Sequence, residues 1–262
     1  MMPEFIAIDW SGARDGGARG IVLAQAAGDT LVRLEGGRNR DQIAEHLIAL
    51  AEQNPDLVIG LDFAFSLPAW FLDAMGATTA PDLWELAGDR AEDWLAACAP
   101  PFWGRSGTRR PELPAHFRRT ELEVPAVGGI RPKSVFQVGG SGAVGTGSLR
   151  GMRLLSRLRH AGFSIWPFDP PGWPRVVEIY PRLLTGAVRK RNPGERTRYL
   201  DGFCPQIAAE HRAFAALSED AFDAAVSALV MAQHAEDLCS LPELTEPQFV
   251  REGMIWHPGL WT

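Results

Sequence analysis

Acidic residues interrupt apolar runs at four places in the chain. Asp9 closes "FIAID", Asp62 lies within "LVIGLDFAF", Glu178 within "VVEIY", and Asp223 within "AFDAAVSALVMA". Taking one ionised carboxylate out of water costs several kcal/mol unless a partner compensates it, so four in one chain call for a shared explanation. A divalent cation supplies one, because hard oxygen ligands on Mg²⁺ or Mn²⁺ turn mutually repelling carboxylates into a charge-balanced site. The last run adds Asp220: Asp220, Asp223 and Ser227 fall at i, i+3 and i+7 and make one polar stripe on a segment that is otherwise apolar nearly all round. Asp9, Asp62 and Asp223 are therefore the expected metal ligands. Asp220 and Glu178 are expected as a further ligand or as the base that orients water. Such a pair of cations, about 3.5 to 4 Å apart, activates water and stabilises the leaving oxygen of a phosphodiester. Three of the acids also have a local alternative: Asp9 can cap its Ser-Gly turn, Glu178 can meet Arg182 or an arginine of the 189–198 window, and Asp220 can favour the positive end of its helix.

A phosphate-bearing substrate needs cationic groups, and these are concentrated in two windows. Residues 103–119 carry five arginines against one glutamate, and residues 189–198 carry five basic residues against one glutamate. Arg118, Arg119, Arg189, Lys190 and Arg191 are the expected phosphate contacts, since guanidinium grips phosphate bidentately. Trp10 is an expected wall for a base and Ser11 part of the turn that lets phosphate approach. The net charge of -6 argues against general coating of nucleic acid, which demands a basic surface. DNA, RNA, a nucleotide or a smaller phosphoester all remain open as substrate. The three cysteines form no C-x-x-C pair and the six histidines no ligand spacing, so neither a zinc site nor a disulfide framework is indicated. No apolar run approaches the roughly 18 residues that span a bilayer and Met1 to Ile8 carry no basic leader. The expectation is a cytoplasmic protein without membrane association, of open oligomeric state.

The elements that must position these residues are readable from periodicity. "FIAIDW", "IVLAQAA" and "TLVRLEG", separated by glycine-bearing turns, read as an antiparallel meander. "RDQIAEHLIALAEQ" reads as a helix stopped by Asn54-Pro55, and "DLVIGLDFAFSL" as a strand covered on both faces. Residues 68–132, rich in proline and tryptophan, read as an insertion with only short helical pieces, packed on the core. "SVFQVGG" is a possible strand, followed by a glycine-rich loop and a helix ending at Gly162. "FSIWPFD" and "RVVEIYP" are two further strands. The last third is helical, with Ser218 as the N-cap of the stretch carrying Asp220 and Asp223, and the tail "GMIWHPGLWT" reads as irregular. The whole is expected to be one α/β domain over 1–262, a mixed sheet flanked by helices.

An acid on the first strand of a meander, a second on the fourth strand, and one or two on a late helix together resemble the ribonuclease H-like superfamily. Its five-stranded mixed sheet is the fold that the resemblance implies. More narrowly, "AIDWSGA", "GLDFAFSLP", "SVFQVGGSGAVGTGSLRGM", "WPFD", "VVEIYP" and "EDAFDAAVSALVMA", in that order, are similar to the domain-of-unknown-function family 429, described as predicted ribonuclease H-like nucleases. The resemblance implies a metal-dependent nuclease with Asp9, Asp62 and the Asp220/Asp223 pair in the site, and Glu178 departs from the superfamily's usual acids. Two alternatives stand beside it. Sugar kinases and actin-like ATPases elaborate the same sheet, and "GGSGAVGTGS" opening a helix suits a phosphate cradle of backbone amides, although no Gly-Lys-Ser/Thr follows as in a Walker loop. A non-catalytic binding protein of the same fold is the other.

Overall fold

The computed structural model describes residues 3–15 and 20–260; most of the glycine-rich stretch after Asp15 lies outside them, as do the two residues at each end of the chain. The meander forms as the turns dictate: β1 (Glu4–Asp9), β2 (Val22–Ala27) and β3 (Thr30–Gly36) pair antiparallel in sequence. Helix α1 (Arg40–Gln53) starts at a capping box in which Asn39 and Gln42 exchange side-chain and backbone hydrogen bonds. It returns the chain to β4 (Leu57–Leu61), parallel to β1. Next come α2 (Ala69–Met75), α3 (Ala80–Ala97), α4 (Arg119–Glu123), α5 (Gly145–His160), β5 (Ser164–Ile165) and β6 (Arg175–Ile179). The chain finishes with α6 (Pro181–Thr185), α7 (Pro193–Phe203), α8 (Ala209–Leu217), α9 (Glu219–Gln233), α10 (Ala235–Cys239), α11 (Pro247–Glu252) and β7 (Ile255–Trp256).

The sheet runs β3-β2-β1-β4-β6-β5, and β7 also pairs with β6. It is mixed, with β1, β4, β6, β5 and β7 parallel and β2 antiparallel to both its neighbours. Side chains alternate across a strand, and this divides the core in two. Ile6, Ile8, Ile59, Leu61 and Val176 face one way, into the layer containing α1, α3 and α5. Phe5, Ala7, Val58, Val177 and Ile179 face the other way, onto α9, which is buried at every residue from Ala221 to Met231. Gly60 lets α9 lie close: a Cβ there would come within 2.7 Å of the Met231 sulfur and 2.9 Å of Ile179.

Several expectations need correction. Seven strands are present among the described residues rather than five; β5, expected within "FSIWPFD", is only two residues long, and the two-residue β7 was not expected. Pro167 cuts β5 short, since proline has no N–H to give the ladder, and Ile255–Trp256 makes a strand out of a tail read as irregular. The fourth strand stops at Leu61, and residues 62–68 are loop. Residues 68–132 hold an 18-residue helix, α3, capped by Thr79 with Asp82 and packed on α5 through Leu83, Trp84, Ala87, Ala91 and Leu95. Its buried positions follow the helical period, but charged residues between them and the surrounding tryptophans and prolines obscured it. "SVFQVGG" contributes only a single bridge, Gln137 to Trp103. No helix among the described residues is long and apolar enough to cross a membrane.

Candidate functional site

Register places the first two acids together. Ile8 on β1 pairs with Leu61 on β4, and the Asp62 amide donates to the Ile8 carbonyl at 3.1 Å, so Asp9 and Asp62 stand side by side one residue past the last ladder pair. By alternation Asp9 follows Phe5 and Ala7, and Asp62 follows Val58 and Gly60, so both belong to the face covered by α9. Helix α9 begins where Ser218 accepts a hydrogen bond from the Ala221 amide, and two residues past Ala221 it presents Asp223, 8% exposed, to the same place.

The electrostatics follow from that crowding. Asp9 and Asp62 keep partial solvent contact, yet withdrawal from water is the largest influence on each. Burial, then the charges of Asp62, Asp223 and Asp220, hold the Asp9 carboxyl well above the ordinary range. Burial and the neighbouring Asp223 push Asp62 up to about 8. Asp223 is raised by burial against the pull of Lys190, and Asp220 by burial and then by Glu219. Lys190 donates from Nζ to Asp223 Oδ2. Asp223 Oδ1 is buried with no hydrogen-bond partner, as is the Ser227 hydroxyl one helical turn further along. Thus Lys190, one of the basic candidates of the 189–198 window, is the counter-ion of the acids.

Glu178 approaches this group without sharing its face of the sheet. Leu61 pairs with Glu178 as well as with Ile8, so Glu178 lies in the row of residues that faces the α1/α3/α5 layer, opposite to Asp9 and Asp62. There the Arg118 guanidinium grips it in a fork, Nη1 to Oε2 at 2.8 Å and Nη2 to Oε1 at 2.5 Å, and the Phe65 amide donates to it at 2.9 Å. Arg118, 1% exposed, also donates to Glu121 at 3.1 Å and to the Glu252 carbonyl at 3.0 Å. Glu178 and Arg118 are thus paired with each other, and both border the same cavity as Asp62, whose carboxyl the Glu178 charge also raises. The arginine that Glu178 meets is Arg118, from the earlier window, and not Arg182 or one of the 189–198 window. Arg119 is likewise engaged, with Glu123 at 2.6 Å, through its amide with Glu252 at 2.7 Å, and over the Phe249 ring. Arg189 and Arg191 are exposed and form no ion pair among the described residues. Trp10 is buried, donates to the Gly147 carbonyl at 3.1 Å and packs on Phe63, while the Ser11 hydroxyl accepts from the Ala13 amide at 3.2 Å.

A cleft of about 500 Å³ opens beside Asp62. Its walls include Trp10, Phe63, Ile130 and Tyr180, and Arg131 and Lys133 bring positive charge to it. The glycine-rich segment lines the same cleft through Gly142, Thr146 and Gly147. It approaches the turn after β1 so closely that a Cβ on Gly12 would fall 2.7 Å from the Gly147 nitrogen. Tyr180, Phe63 and Lys133 were not singled out from sequence. Tyr180 had a signal, standing two residues past Glu178 at the end of an apolar strand, and its hydroxyl is raised by burial and by the charges of Asp62 and Asp223.

Residues 8–246 match a family described as a protein of unknown function, DUF429, and the chain belongs to that family. No curated protein and no solved structure matches it. Among the described residues no group of three or more His, Cys, Asp or Glu side chains is arranged to hold a metal ion. The cation placed against the acids is the Lys190 ammonium.

Proposed function

We propose that this chain is a ribonuclease H-like, divalent-metal-dependent hydrolase of phosphodiester bonds, with nucleic acid or another phosphoester as substrate. The observation that carries the reading is the trio Asp9, Asp62 and Asp223: three carboxylates gathered on one face of the sheet, offset by a single lysine and leaving Asp223 Oδ1 buried without a partner. Their donors are all hard oxygens, which fit Mg²⁺ or Mn²⁺. Asp9, Asp62 and Asp223 would hold the metal, in competition with Lys190 for Asp223, and Asp220 stands next in line. When bound, such an ion lowers the pKa of its water and neutralises charge on the leaving oxygen. The strand order β3-β2-β1-β4, with acids at the ends of β1 and β4 and on the late helix α9, supports the fold assignment.

The chain's own contributions are positional. Asp62, with a pKa of about 8, carries a proton at neutral pH in the absence of a cation, and gives it up when a cation replaces the proton's charge. Arg131 and Lys133 draw a phosphate toward the acids, and Trp10, Phe63 and Tyr180 offer flat walls to a base. A second reading, a phosphotransferase or nucleotide-binding protein, draws on the glycine-rich segment in the cleft, whose amides precede α5. A non-catalytic binding protein would show no turnover at all.

Cleavage of single-stranded and RNA–DNA hybrid oligonucleotides separates the three. The hydrolase reading expects strand scission that requires Mg²⁺ or Mn²⁺ and falls at least 100-fold in the Asp9→Asn, Asp62→Asn double variant. Micromolar ATP binding without scission points to the phosphotransferase. Equal scission by wild type and variant contradicts the proposed site.

A further inference from the structure

A second cavity, of about 290 Å³, lies between the start of α1, the flanks of α3 and α5, and the turn that follows β1. Five arginines line it, Arg14, Arg40, Arg150, Arg153 and Arg157, against three acids, Asp41, Asp89 and Glu92. Such an excess stands out in a chain of net charge -6. Its floor is apolar, with Ala44, Ala87 and Leu149 among the lining residues, which strengthens electrostatic attraction at the site.

The acids do not use up the arginines. Arg150 forks onto Glu92 at 2.6 and 2.8 Å, and Arg157 meets Asp41 at 2.7 Å, but the Glu92 and Asp41 side chains are 63% and 73% exposed, so both pairs sit at the rim and bind weakly. Arg14 and Arg153 form no ion pair among the described residues. Arg40 spends its Nη1 on main-chain carbonyls, those of Ser11 at 3.0 Å and Ala13 at 2.9 Å, and Arg150 donates to the Gly12 carbonyl between them. The Arg150 side chain is 8% exposed. Burial and the adjacent Arg150 both weaken the hold of Arg40 on its proton, against the opposing charges of Glu92, Asp41 and Asp15.

We propose that this cavity is a phosphate-binding site, distinct from the acid cluster, that takes a phosphate group through Arg40 and Arg150 at its base and Arg14 and Arg153 at its mouth. Guanidinium forks match phosphate oxygens in geometry as well as charge, and the start of α1 adds the positive end of a 14-residue helix. The turn clamped by Arg40 and Arg150 is the one that leads out of Asp9, and Trp10 and Gly12 on it line the acid cleft. A phosphate in the arginine cavity would thus steady the segment that carries the first acid. The site itself stands independently of the hydrolase reading.

The test is calorimetric titration of the full chain with inorganic pyrophosphate, in chelator and at low salt so that no metal ion takes part. The same titration with a short oligothymidylate shows whether the site takes a free phosphate compound or the backbone of a nucleic acid. Wild type is expected to bind pyrophosphate at submillimolar concentration, with affinity falling as salt rises. The Arg14→Ala, Arg153→Ala variant, which alters two exposed residues and should fold normally, is expected to bind at least tenfold more weakly, and Arg40→Gln more weakly again. An oligothymidylate that binds and is weakened by the same variants assigns the phosphate to a polymer; pyrophosphate binding alone assigns it to a small compound. No binding by wild type at millimolar pyrophosphate, or equal binding by the folded Arg14→Ala, Arg153→Ala variant, overturns the proposal.

Discussion

Asp62 illustrates how far a carboxylate can be driven from its ordinary behaviour by two neighbours of the same sign and a layer of helix. A carboxyl whose pKa is higher in the folded chain than in the unfolded one holds its proton more tightly when folded. Its folded form is therefore favoured below the unfolded value and is penalised as pH rises toward the folded value. For Asp62 that window runs from the ordinary 3.8 to about 8, and Asp9, raised in the same direction, adds to it. In chelator, the melting temperature of wild type should fall between pH 5 and pH 8, and Asp62→Asn should lessen that fall and raise the melting temperature at pH 8. A wild-type profile that rises over this range would contradict the crowding described here. The acids themselves were legible from sequence because each interrupts an apolar run. Which of them would meet was only partly so. Glu178 looks like Asp62 in sequence, each an acid at the end of a buried strand, and only the register, which sets Glu178 beside Leu61 and Asp62 one position further on, sends them to opposite faces of the sheet.

At the scale of elements, the buried Arg118 is a strut. It joins α4 through Glu121, β6 through Glu178, the loop after β4 through the same Glu178, which also accepts from the Phe65 amide, and α11 through the Glu252 carbonyl. Removing it strands Glu178 and Glu121 in the interior; Glu121 is already pushed up to about 7 by burial. Arg118→Met should cost about 3–5 kcal/mol in a urea melt, because an uncompensated buried charge is far worse than a lost surface pair. Arg119→Met, at the surface of the same helix, should cost about 1 kcal/mol or less. A cost for Arg118→Met as small as that for Arg119→Met would mean that the network does not hold these elements together. Elements with a clean local signature were legible: the meander, α1 and the Ser218-capped α9. Helix α3 was not, since its buried stripe is interleaved with acids. The two-residue β7 beside β6 was not either, because so short a strand has no period to read.

For the whole molecule, topology does what no local motif does. Two parallel strands end side by side, and a helix buried from Ala221 to Met231 lays an acid across their ends, with Gly60 leaving room for it to lie close. The ordered set of short motifs was enough to place the chain in its family, yet the arginine cavity escaped notice because its members come from the turn after β1, α1 and α5, far apart in sequence. The central claim, that Asp9, Asp62 and Asp223 form a cation site, is tested most directly by titrating the full chain with Mn²⁺ at pH 7 in two buffers of different ionisation enthalpy. The account predicts binding accompanied by proton release, as the protons held on Asp62 and Asp9 leave, and its loss in the Asp9→Asn, Asp62→Asn variant. Absence of Mn²⁺ binding at millimolar concentration, or binding unchanged in that variant, would contradict it.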